Sequence, residues 1–169
     1  MVAVGFASAV VAGTITSCDD DNGGFAAPGG PGTGGAGATT TGAGGANVLR
    51  ADVSLTGKQV VPQLTNTPGT ATLTVTLDRT TGNIMVTGNF TGLSSPATAA
   101  HIHGPASTGT VGPVLIPLTV TPDMNGTVTG SASMNPTDMN AMLDSLTYVD
   151  IHSMYFDQGE IRAQIDKLQ

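Results

Sequence analysis

The chain has no tryptophan, one cysteine and only five basic residues among 169. Each shortage excludes something. Five Lys and Arg against twelve Asp and Glu leave a net charge of −7, so there is no cationic footprint for nucleic acid. A lone cysteine cannot form an internal disulfide. Charged residues make up 10% of the chain, and Lys and Glu are rare, which disfavours long exposed helices. No phosphate loop, nucleophile motif or pair of catalytic carboxylates can be made out, so an enzyme is not the expected reading. What is plentiful is Thr, Gly, Val and Ala, a composition that suits short strands joined by Gly, Pro and Asn turns.

Three segments follow one another. Residues 1–17 have an apolar middle (Val4, Phe6, Ala7, Ala9, Val10, Val11, Ala12), shorter than the ~20 residues that cross a bilayer. They read as a signal peptide. The run ends in Ile15-Thr16-Ser17-Cys18, which resembles the bacterial lipobox, so Cys18 is expected to be the lipidated first residue of the mature chain. The basic opening of a signal peptide is missing, and the true start is therefore expected upstream of Met1. Asp19-Asp20-Asp21 follows, and then eleven glycines within 23–46. Such a tract buries too little to offset its ordering entropy and reads as a flexible linker over 18–46, with a mean reach of roughly 30 Å. Several acyl chains would anchor the protein stably, which places it in the bacterial cell envelope, periplasmic or at the surface.

From Asn47 the hydrophobic period is two. Leu73, Val75 and Leu77 alternate with threonines, Asp78–Asn83 makes a turn, and Ile84 and Val86 resume the pattern. Further strands are predicted at 48–55, 97–103, 113–121, 126–133, 147–154 and 159–166. The expected fold over 47–169 is all-β, an antiparallel sandwich or barrel. One segment differs: Met139, Met142, Leu143 and Leu146 have helical spacing, which predicts a short helix at about 137–146 capped by Thr137 or Asp138, with the methionines as core filler.

Only three histidines occur, and two of them form His101-Ile102-His103. Alternate strand residues point the same way, so both imidazoles share the face opposite Ile102. In Tyr148-Val149-Asp150-Ile151-His152 the same rule turns Asp150 and His152 outward. If these strands are neighbours, His101, His103 and His152 converge as a metal site on the outer wall, with copper favoured over zinc because Met154 would add a thioether on the same face. Asp150, or Glu160, then offers an acceptor that fixes a histidine tautomer. Glu160 and Arg162 read as a surface ion pair of little energetic consequence.

Three ordered motifs resemble a known family. Leu55-Thr56-Gly57 with Gln59-Val60-Val61-Pro62 and Gly69-Thr70-Ala71 open it. Ala100-His101-Ile102-His103-Gly104-Pro105-Ala106 with Gly112-Pro113-Val114 form its centre, and Tyr148–His152 with Gly159-Glu160-Ile161-Arg162-Ala163-Gln164-Ile165 its close. Together they resemble the CHRD domain, the chordin-type module of many bacterial exported proteins. The chain departs at Gln59, where Glu is usual, at Val61, where Pro is usual, and at Asp157-Gln158, where Pro-Gly is common. The resemblance implies an immunoglobulin-like or superoxide-dismutase-like β-sandwich, but no generally established activity. The His-X-His strand is similar to that of copper/zinc superoxide dismutases, yet the additional histidines of a dismutase's bridging and zinc ligands are missing. Two functions stay open: a membrane-tethered metal-binding module, or an adhesion or scaffold module that binds an extracytoplasmic protein or polysaccharide.

Overall fold

Alternation of aliphatic residues with threonine sets the strands, and their pairing sets the architecture. A computed structural model describes residues 47–64, 66–166 and 168–169. The expected signal peptide 1–17, Cys18 and the linker 18–46 lie outside the described residues. The strands are β1 (Val48–Thr56), β2 (Thr70–Asp78), β3 (Asn83–Thr91), β4 (Ala97–His103), β5 (Val114–Val120), β6 (Gly126–Ser133), β7 (Tyr148–Ser153) and β8 (Phe156–Gln164). Among the described residues one α-helix, α1 (Pro136–Leu143), joins β6 to β7, and a 3-10 turn (Gly57–Gln59) follows β1.

The sandwich that the resemblance implies is instead one closed barrel, the other architecture that alternation left open. Its order is β1-β2-β3-β6-β5-β4-β7-β8, every neighbouring pair is antiparallel, and β8 returns to β1 at Thr56↔Arg162. Closure gives both terminal strands a partner and so removes the open edges that two separate sheets would expose. An eight-stranded barrel is just wide enough for side chains to fill. Leu55, Leu73, Val75, Ile102, Val149, Ile151 and Ile161 fill this one, each fully buried. Burying one such aliphatic side chain contributes roughly 1.5–3 kcal/mol.

The helix begins earlier and is shorter than its sequence pattern suggests. Asn135, not Thr137 or Asp138, is the N-cap: its side chain accepts from the Asp138 N–H at 2.9 Å, and Pro136 occupies the first turn, where its missing donor costs nothing. It ends at Leu143, where Asp144 caps and Ser145 takes φ 59°, so Leu146 falls outside it. Met142 is buried in the core and Met139 packs against it, as the core-filler reading expects.

Candidate metal centre

The barrel order inserts β4 between β5 and β7. That places the two histidine-bearing strands side by side, with His101 paired to Asp150, Ala99 to His152 and His103 to Tyr148. Ile102, Val149 and Ile151 point into the core with no exposure, so the intervening side chains are held on the outer wall.

There the ligating atoms of His101, His103, Asp150 and His152 all lie within 4.8 Å of one another. His101 Nδ1 is 3.2 Å from His152 Nε2, and His152 Nε2 is 3.2 Å from Asp150 Oδ1. His103 Nε2 is 3.3 Å from Asp150 Oδ2, and His101 Nδ1 is 3.9 Å from Asp150 Oδ1. The far sides of two rings are committed elsewhere. His103 Nδ1 lies 2.9 Å from Gly112 O, and His152 Nδ1 lies 2.8 Å from Asp157 O. A carbonyl only accepts, so both Nδ1 atoms carry the proton, and in the neutral rings both Nε2 lone pairs face the cluster. His103 Nε2 is buried and makes no hydrogen bond. A buried acceptor left without a partner, aimed at two more imidazole nitrogens and a carboxylate, is what a cation would satisfy.

Electrostatics in the cluster follow from burial and from Asp150. Burial is the main force lowering the pKa of His101, reinforced by His152. In His103 burial also pulls downward, but the Asp150 carboxylate outweighs it and the ring titrates above its ordinary value. For His152 the Asp150 contact is the largest influence, and the pKa is raised. Asp150 itself is pushed up by burial and then held below the usual carboxylate range by the His103 and His152 contacts.

Three outward residues are less exposed than period two suggests. Asp150 is buried, its carboxylate enclosed by the rings of His101, His103 and His152. Glu160 and Arg162 are not a surface ion pair either, since both are buried and each takes other partners. Glu160 accepts from Thr67, Ser94 and Ser153, while Arg162 donates to Thr110 O at 2.8 Å. Met154 is 67% exposed and lies in the turn beyond the last residue of β7, where strand alternation no longer applies. Gln59, where a carboxylate is usual, uses its amide oxygen to accept from the Gln164 N–H at 2.8 Å. The carbonyls of Gly112 and Asp157 were beyond sequence reasoning. The Gly-Pro steps at 104–105 and 112–113 mark a loop after His103, but nothing in them says which carbonyl turns toward the ring.

A closed antiparallel β-barrel with three imidazoles and a carboxylate gathered on its outer wall defines a small all-β module able to hold a metal ion. The chain belongs to the CHRD domain family, whose model matches residues 51–165, well over half of the sequence. Comparison with curated proteins and with solved structures gives no match.

Proposed function

We propose that the domain captures and retains a divalent transition-metal ion through His101 Nδ1, His103 Nε2, His152 Nε2 and the Asp150 carboxylate. One observation carries this reading. A tetrahedral site with metal–nitrogen distances of ~2.0–2.1 Å has ligand–ligand edges of about 3.3–3.4 Å. Four separations, of 3.2, 3.2, 3.3 and 3.9 Å, already approach that size, and all the ligand atoms lie within 4.8 Å of one another. Three neutral nitrogens and one anionic oxygen suit copper(II) or zinc(II), and the Irving–Williams order favours copper. Four protein donors leave no open coordination position, which suits capture, storage or delivery better than turnover. Ile15-Thr16-Ser17-Cys18 supports a bacterial envelope location, with the domain tethered to a membrane by lipid on Cys18. An unmodified Cys18 in the mass spectrum of the mature protein would remove that part of the reading.

The test is a competition titration of the mature chain with copper(II) and zinc(II), repeated for His101→Ala, Asp150→Ala and His152→Ala. One equivalent should bind tightly to the wild type, and each substitution should weaken it by at least tenfold. Affinity no better than that of free imidazole would overturn the proposal and return the domain to the adhesion or scaffold reading.

A further inference from the structure

The two tautomer-fixing carbonyls are supplied in different ways. Asp157 O sits five residues from His152, at the start of β8, just past the two-residue turn after β7. Gly112 O reaches His103 from the end of segment 104–113, which contains no helix or strand. Its aim depends on whatever holds that segment to the wall.

Two side chains do so beside the cluster. The Gly112 N–H donates to Tyr148 Oη at 3.3 Å, and Tyr148 Oη lies 3.5 Å from Gly112 O. The Tyr148 ring stacks on His103, with centroids 4.7 Å apart and planes 4° from parallel. Arg162 then packs on Tyr148, its guanidinium carbon 3.4 Å from the ring centroid, and donates through Nη2 to Thr110 O. Arg162 is only 3% exposed, has no carboxylate within ion-pair distance among the described residues, and leaves Nε without an acceptor. Asp150, its partner across β7 and β8, acts on it only from beyond contact distance. Burying a guanidinium with no carboxylate in contact is unfavourable, and a hydrocarbon side chain would fill the space at less cost. What a hydrocarbon could not supply is the cation over the phenol ring and the donor to the segment carrying Gly112.

We infer that Tyr148 and Arg162 are positioning residues of the metal centre: they pin segment 104–113 so that Gly112 O holds His103 as the Nδ1–H tautomer with Nε2 presented to the ion. This rests on the proposed metal-binding reading, but the tautomer is a property of the metal-free protein and can be measured alone. Nitrogen-15 long-range correlation spectra of the imidazoles, recorded on the metal-free mature chain with the rings neutral, should show His103 as Nδ1–H. Tyr148→Phe keeps the stack and removes the hydroxyl contact with Gly112. Losing one hydrogen bond of ordinary strength should speed exchange of the His103 Hδ1 proton by about 2–10-fold. Arg162→Met keeps the length of the side chain and removes the donor, and it should shift His103 toward the Nε2–H form. Loss of such an outer partner typically lowers metal affinity by ~10–100-fold, and copper(II) affinity should fall by that factor in Arg162→Met. Arg162→Lys, which restores the charge but not the planar fork, should recover only part of the loss.

The inference is overturned if folded Arg162→Met keeps both the wild-type tautomer and the wild-type affinity. Should that variant not fold, Tyr148→Phe decides, and unchanged Hδ1 exchange overturns the inference. A wild type that binds no metal would sink the metal reading and leave the tautomer measurements to decide this one.

Discussion

Replacing Glu160 by Gln should destabilise the domain at neutral pH and leave it almost unchanged in acid. Glu160 is the chain's single glutamate and has no exposed surface. Its Oε1 accepts from Thr67 Oγ1 and from the Ser94 N–H at 2.7 Å, and its Oε2 accepts from Ser153 Oγ. These donors come from the β1–β2 connection, the β3–β4 connection and the end of β7, so the carboxylate ties three parts of one barrel end together. A glutamine of the same shape can still accept from Ser94 and Thr67 and can donate to Ser153, whose hydroxyl turns. What disappears is the charge. A hydrogen bond to an ionised group contributes about 1.5–3 kcal/mol and a neutral one about 0.5–1.5 kcal/mol, so three bonds lose ~3–4 kcal/mol. Against that, a buried charge costs several kcal/mol that the amide does not. The direction of the pKa decides between them. Burial pushes Glu160 up, yet the bonds from Ser153, Thr67 and Ser94 outweigh it and hold the group below its ordinary value.

The ionised form is therefore favoured by the fold, and we expect Glu160→Gln to cost about 1–3 kcal/mol at pH 7. A depressed folded pKa contributes stability that is present above the unfolded value and lost as pH falls through the folded one. The wild type should thus lose this component below about pH 4.5, and the variant has none of it to lose. Urea unfolding at pH 7, 5, 4 and 3 measures both, since a small domain with a slope of ~1–3 kcal/mol/M turns that cost into a midpoint shift of roughly 1 M. A gap between wild type and variant that stays constant from pH 7 to 3 would refute the reasoning. So would a variant more stable than the wild type at pH 7.

Three other outcomes follow from the geometry. Gly159 has φ 107°, and an added Cβ would meet Asp150 Oδ2 only at an ordinary 3.6 Å. Gly159→Ala should cost ~1–3 kcal/mol through the backbone alone, seen as a lower Tm with copper(II) affinity within twofold of wild type. Asn135→Ala removes the cap on α1 and should cost about 1 kcal/mol, and unchanged amide exchange at Asp138 would count against it. Met154→Leu should leave copper(I) and copper(II) affinities within twofold of wild type, because an exposed turn residue gives no fixed thioether; a tenfold loss would put its sulfur among the ligands.

The strands were readable because one face is buried along each of them. Leu73, Val75 and Leu77 against threonine can form only a half-buried strand, and the β2–β3 hairpin falls where that pattern and the Asp78–Asn83 turn require. Closure was not readable in the same way. A sandwich and a barrel make the same local demand of alternation, and the difference rests on two short seams, Thr56↔Arg162 between β1 and β8 and Thr119↔Thr129 with Val120↔Val128 between β5 and β6. The metal centre divides along the same line. Period two placed His101 with His103 and Asp150 with His152, but which strands are neighbours is a choice of topology, made here by inserting β4 between β5 and β7.

Asp150, Glu160 and Arg162 show the limit most clearly. Alternation turns these side chains to the outer wall and says nothing about what packs over each of them. Burial changes what such residues do. On an open strand face Asp150 and Arg162 would be screened charges of little energetic weight. Buried, Asp150 stands among three imidazoles and Arg162 holds the backbone that orients one of them. The strands bring the ligands together, and an irregular connection sets the tautomer of His103.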